Sequence, residues 1–149
     1  MTRTTFFLFV VAALLLTSCG GRLYHTAYHN FSDSQWDNRD TLLFDLPPSD
    51  HDIDLALTLA VRTTKPFAYR DIVTQLDLIR DGRTLSSTPI TINVNDDPHP
   101  EGTGFLTRES HSTPYALHME ANHQYKLRVT HRMRLNPLEH TTSVGIIAE

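Results

Sequence analysis

Ile53-Asp54-Leu55-Ala56-Leu57-Thr58-Leu59-Ala60-Val61 places an apolar side chain at every second position, with Asp52, Asp54, Thr58 and Arg62 among the residues between them. A period of two over five repeats predicts a half-buried β-strand, because an amphipathic helix repeats its apolar face every 3.6 residues. The rest of the chain follows suit. Ile72, Thr74, Leu76 and Leu78 alternate and end at Asp81-Gly82, a pair suited to a two-residue hairpin turn. Thr84-Leu85 and then Ile90, Ile92 and Val94 resume the alternation, and Tyr115, Leu117 and Met119 form a shorter run before an Asn122-His123 turn. Tyr125, Leu127, Val129, His131 and Met133 make the longest later run, Val144, Ile146 and Ala148 close the chain, and Thr41 to Leu46 opens the series. About eight strands with turn chemistry between them, and no helical repeat, predict an all-β fold. The expectation is an antiparallel β-sandwich, immunoglobulin-like or jelly-roll-like, with the strand order open.

Upstream of the strands the chain changes character. Arg3 precedes an apolar run from Phe6 to Leu16, which ends in Leu16-Thr17-Ser18-Cys19. That order is a positive n-region, an h-region and small residues before a cut, as in a secretory signal. A cysteine at the cut reads as a lipobox, in which Cys19 is acylated and becomes the new N-terminus. An ordinary cleaved signal and a short membrane anchor are the alternatives, and the run is well short of the ~18–20 apolar residues a span needs. The expected organisation is therefore a signal peptide over 1–18, a lipidated N-terminus and tether over 19–35, and the sandwich over 36–149. Tyr24, Tyr28, Phe31 and Trp36 interrupt the polar tether and are expected to fold onto the domain.

Composition removes several function classes. Cys19 is the only cysteine of the 149 residues, so disulfides, thiolate metal sites and a cysteine nucleophile fall together. The formal net charge is −4 and no five-residue block of lysine and arginine occurs, so the basic stripe that nucleic acid requires is missing.

The chain has nine histidines. His25 and His29 are four apart but lie in a stretch without helical periodicity, while His118, His123 and His131 sit on or between neighbouring strands. Zinc needs three or four ligands in tetrahedral placement, and scattered surface histidines explain the same count. His131 shares parity with Val129 and Met133, so it is expected to face the core, where its neutral ring needs a partner on each nitrogen. Asn93-Val94-Asn95-Asp96-Asp97 offers oxygen ligands for calcium but lacks a glycine-centred loop and bidentate glutamate. Gly102-Thr103-Gly104 is a tight-turn signal without the strand-to-helix context of a phosphate loop. No Gly-x-Ser-x-Gly occurs, and Glu101, Glu109, Asp96 and Asp97 form a glycosidase pair no better than any acidic loop. No catalytic, metal or cofactor residue is therefore assigned.

The C-terminal letters are more specific. Tyr125-Lys126-Leu127-Arg128-Val129-Thr130-His131-Arg132-Met133-Arg134-Leu135-Asn136-Pro137-Leu138, followed by Val144-Gly145-Ile146, resembles the end of the gliding-motility-associated lipoproteins of the GldH type. In that family a Tyr-led strand runs into Met-Arg-x-x-Pro-Leu, and Val-Gly follows after a short loop. Trp36 with Asp40 and Phe44 resembles the family's opening, and Arg62 with Pro66, Phe67 and Tyr69 resembles its Arg…Tyr-Pro-Tyr segment. Gly102-x-Gly104 stands at the family's glycine motif, here without the preceding Trp. Asp71 stands where the family has Asn, and His140 to Ser143 replace Gly-Ile-x-Asp.

The resemblance implies an outer-membrane lipoprotein linked to gliding and type IX secretion, and the expectation is a non-catalytic adaptor or accessory component of that apparatus. Its implied partners are the membrane, through the lipid anchor, and envelope proteins of that machinery. A glycan- or peptidoglycan-binding sandwich is the alternative and would need an exposed aromatic platform; a hydrolase would need converging carboxylates in a pocket. Strand parity places Arg132 and Arg134 on the outward side of a strand that Pro137 ends, and these two arginines form the expected partner surface. Periplasm-facing display is the expected location.

Overall fold

A computed structural model describes residues 22–94 and 107–149. Cys19 with its lipobox, Asn95 to Asp97, Glu101 and the Gly102–Gly104 turn lie outside the described residues. The described chain is all-β, with strands β1 His25–Asn30, β2 Gln35–Trp36, β3 Leu42–Leu46, β4 Ile53–Thr64, β5 Asp71–Arg80, β6 Arg83–Asn93, β7 Thr107–His111, β8 Tyr115–Met119, β9 Tyr125–His131, β10 Leu138–Glu139 and β11 Thr141–Ala148.

The strands form two main sheets, and every pairing is antiparallel. One runs β1-β11-β4-β7 with β8 also on β4; the other runs β3-β9-β5-β6. Treating β7 and β8 as two halves of one strand leaves a simple rule of pairing. The first long strand pairs with the last (β1 with β11), the second with the second-last (β3 with β9), then β4 with β7 and β8, and β5 with β6. That is a long hairpin rolled up on itself, the jelly-roll arrangement, and it excludes the immunoglobulin-like alternative. Eight strand positions are thus occupied by nine strands, and β2 with β10 form a small extra pair.

The sequence alternation has a direct packing counterpart. Leu55, Leu57, Leu59 and Val61 of β4 face Ile72, Leu76, Leu127 and Val129 of the other sheet across one continuous core. Asp81 and Gly82 both have positive φ, at 48° and 82°, which is the backbone a type I′ hairpin turn requires between β5 and β6. Asn122, at φ 61°, also lies in a turn. It leads from β8 to β9 and so carries the chain from one sheet to the other.

One expected feature differs. The body begins at β1 rather than near Trp36: β1 pairs with β11 from His25↔Ala148 to Asn30↔Ser143, so part of the expected tether is an edge strand. The Tyr24 N–H donates to Ala148 O at 2.8 Å and its hydroxyl to Pro47 O at 2.7 Å, which fixes the entry to that strand. The strand position opposite β4 is shared by two strands with a break between them. β7 covers Ala60 to Thr64 and β8 covers Ile53 to Leu57. In the gap Ser112 serves Leu59 with both its groups, the hydroxyl accepting from Leu59 N–H at 3.0 Å and the backbone N–H donating to Leu59 O at 2.9 Å. Pro114, which has no N–H to give, follows in the break.

Candidate functional site

The family-like segments meet at one end of the sandwich. Trp36 in β2 and Leu138 in β10 are register partners, and both are fully buried. His131, the last residue of β9, is also buried and packs edge-on against the Trp36 indole, with ring centroids 5.0 Å apart. His131 Nε2 donates to Trp36 O at 3.0 Å, and Nδ1 accepts the Met133 N–H at 3.3 Å. A backbone carbonyl only accepts and an amide only donates, so these two partners select the neutral ring with its proton on Nε2. Burial pushes the His131 pKa down, against the opposing pull of the Trp36 carbonyl and the acidic charges of Asp37 and Asp40. The inward, structural role expected from parity is what the geometry gives. The Trp36 indole N–H finds no acceptor among the described residues. Phe31 also stacks on Trp36, with ring centroids 6.1 Å apart, and His29 follows at 5.4 Å from Phe31.

Around this buried anchor the backbone is laced by short-range polar contacts. Asn136 Oδ1 accepts the Asn38 N–H at 2.6 Å, and Thr141 N–H donates to Ser34 O at 3.1 Å. The Asp37 carboxylate takes both the guanidinium and the amide of Arg39, which hold its pKa well below the usual carboxylate range. Asp33, Asp37 and Asp40 with Pro137 line a shallow hollow of about 310 Å³ beside it.

From this base residues 132–137 project as a loop. The sequence placed Arg132 and Arg134 on a strand running to Pro137, and the structure corrects that. The strand stops at His131. Arg132 N–H still donates to Val73 O at 2.8 Å, but the returning Val73 N–H goes to the Met133 sulfur at 3.3 Å instead of a carbonyl, so the ladder ends there. Met133 is half-buried against the core, Leu138 is fully buried, and Arg132 and Arg134 are exposed between and beside them. Leu135, 65% exposed, is the most exposed large apolar residue among those described. Neither arginine forms an ion pair among the described residues, although Asp77 feels the charge of Arg132.

A second cluster, on the outer face of the β1-β11-β4-β7 sheet, draws Tyr28 from β1, Gly145 from β11, Arg62 from β4, and Glu109 and His111 from β7. The Tyr28 ring lies over Gly145, and a Cβ at Gly145 would stand 2.5 Å from Tyr28 Cδ1. The Arg62 guanidinium sits 4.2 Å from the centre of the same ring. Glu109 accepts from Arg62 Nε at 2.5 Å and from the Tyr28 hydroxyl at 3.0 Å, and contacts His111 Nε2 at 2.8 Å. Burial pushes the Glu109 carboxyl up, but the bonds from His111, Arg62 and Tyr28 outweigh it and hold the pKa below its usual range. Tyr28 is raised by burial and by its bond to Glu109. Sequence reasoning singled out Arg62, Glu109 and Gly145 separately. Their meeting had no linear signal, because it depends on the pairing of strands far apart in the chain.

The remaining histidines are dispersed. His118 Nδ1 contacts Asp54 at 2.7 Å, which raises its pKa, and His123 Nδ1 contacts Asp81 at 2.5 Å. His118 and His123 sit at the opposite end of the sandwich from His131. Among the described residues no group of three or more histidine, cysteine or carboxylate side chains is placed to hold a metal ion.

Fold and site together define a small jelly-roll module whose sequence signature closes one end of the sandwich. The model of the GldH lipoprotein family matches residues 23–147, and this chain belongs to that family. It is a gliding-motility-associated lipoprotein, and the family places it in the cell envelope, attached to a membrane. No curated protein matches it in sequence. Among solved structures it is similar to a CocE/NonD family hydrolase from Staphylococcus aureus, with 10% identity over 86% of this chain and 31% of that one and a TM-score of 0.38. It is also similar to dimeric latent PorU from Porphyromonas gingivalis, with 10% identity over 87% of this chain and 13% of that one and a TM-score of 0.36. The chain spans less than a third of either structure's length, and likeness of this degree carries nothing about its function.

Proposed function

We propose that this lipoprotein is acylated on Cys19, is held at the outer membrane facing the periplasm, and acts as a non-catalytic adaptor of a gliding or type IX secretion apparatus. The observation that carries the reading is the 132–137 loop. Its ends are rooted by buried His131 and Leu138, while Arg132, Arg134 and Leu135 are held out in solvent. Two arginines on a loop fixed at both ends supply a residue type enriched at interface hot spots without a large ordering cost, and the exposed leucine beside them adds apolar area. Arginine adds planar pairing with carboxylates and stacking on aromatic rings.

The glycan-binding alternative gains no support from the fold. Trp36, the single tryptophan, is fully buried and offers no platform. Crosslinking in intact envelopes, followed by capture of this protein, tests the adaptor reading. Recovery of gliding or secretion components that depends on Cys19 supports it; capture of peptidoglycan fragments alone contradicts it.

A further inference from the structure

Strand direction gives the sandwich two unlike ends. The end holding Trp36, His131 and the 132–137 loop also holds the Pro66–Tyr69 segment and the start of β7. The opposite end holds the start of β1, the end of β11, the β3–β4 connection, the Asp81-Gly82 turn and the β8–β9 connection. These are tied together there: Asn122 N–H donates to Ser49 O at 2.8 Å, Asp81 N–H to Gln124 O at 2.9 Å, and Tyr24 OH to Pro47 O at 2.7 Å.

The lipid-bearing end of the chain enters at this second end. Tyr24 is fixed to Ala148, and only four residues separate it from Cys19. The five residue-to-residue steps from Cys19 to Tyr24 span at most about 18 Å even when fully extended. β4 alone, at 12 residues, runs about 40 Å from one end of the sandwich to the other. We infer that the domain stands on the membrane by its Tyr24 end, with the lipid surface against that end and the Trp36–His131 end held about 40 Å into the aqueous space. This rests on Cys19 being the acylated residue.

The chemistry of the membrane-side end fits a shallow contact. Leu23, beside the entry point, is 62% exposed. Asp50, Asp54 and Asp81 each hold a histidine, in His51, His118 and His123, at 2.6, 2.7 and 2.5 Å, so the carboxylates there are not a bare acidic face toward lipid. The consequence for the adaptor loop is direct. Arg132, Arg134 and Leu135 are out of reach of the bilayer that carries the protein, and their partner is a protein in the aqueous space and not a lipid headgroup.

The test uses the full acylated protein in phosphatidylethanolamine/phosphatidylglycerol vesicles containing a headgroup-labelled acceptor lipid. A donor dye is attached through His51→Cys or Arg134→Cys, both exposed positions, after each variant is shown to melt like the parent. The expected result is that both variants float with the vesicles, with energy transfer several-fold stronger from position 51 than from position 134. Flotation with equal or inverted transfer overturns the orientation while leaving the anchor intact. Failure to float overturns the anchor and the orientation with it.

Discussion

His131 Nε2 donates a 3.0 Å hydrogen bond to the carbonyl of Trp36, across 95 residues of sequence. The bond ties the last residue of β9 to the short β2–β10 pair that closes the sandwich. It makes the motif-bearing end a rigid base, and its energetics are open to direct test.

Replacing His131 by alanine removes both ring hydrogen bonds and opens a cavity beside Trp36, so it should cost about 2–4 kcal/mol of unfolding free energy. His131→Phe keeps most of the volume and leaves the Trp36 carbonyl unpaired, so it should cost about 1–3 kcal/mol. Urea denaturation of the two variants checks both values. A cost near zero for alanine would mean that the corner does not depend on this residue.

The same ring sets a pH dependence. Burial lowers the native pKa of His131, so below its unfolded value of about 6.5 the unfolded chain binds more protons than the native one. Stability should therefore fall as pH drops from about 6.5 toward the lower native value, and His131→Phe should flatten that slope. His118, whose pKa is raised by Asp54, works in the opposite direction over the neighbouring range, so the difference between parent and variant is the quantity to measure.

Gly145 and Tyr28 should behave as one unit. A methyl group at position 145 collides with the Tyr28 ring at 2.5 Å and meets Ala27 O at 2.8 Å, so Gly145→Ala should cost about 1–3 kcal/mol. In a Tyr28→Ala background the ring is gone and the same change should cost less, a non-additivity that a double-mutant cycle reads. Equal costs in the two backgrounds would show that Ala27, not the ring, sets the constraint.

Much of this architecture was legible in the chain. β4, β5 and β9 announce themselves because one side of each is continuous core, and Asp81-Gly82 announces its turn because few other pairs accept positive φ twice. β7 was not legible: its Thr-Arg-Glu-Ser-His buries a serine where an apolar residue would mark the strand. β1 was hidden as well, since Ala27 is the only hydrophobic residue of this edge strand that packs against the core. The strand end at His131 was missed because parity says which side a residue faces but not where the ladder stops. The Met133 sulfur takes a backbone donor there, and no sequence pattern marks that.

Membrane attachment has its own test. Stable anchoring needs more than one acyl chain, at ~0.8 kcal/mol per buried CH₂. Cys19→Ser should move the protein from the membrane fraction to the soluble fraction, whereas sedimentation with membranes after a salt wash would contradict acylation at this residue.

The adaptor claim is tested most directly by partner recovery from crosslinked envelopes with the Arg132→Ala/Arg134→Ala double variant. Both side chains are exposed and outside any ion pair among the described residues, and the Arg132 N–H to Val73 bond survives the change, so melting should shift by no more than the ~0–1 kcal/mol typical of exposed charges. The account predicts an intact fold, normal membrane attachment and loss of most envelope-protein crosslinks. Unchanged crosslinking by a folded, anchored double variant would contradict it and place the binding surface elsewhere on the jelly roll.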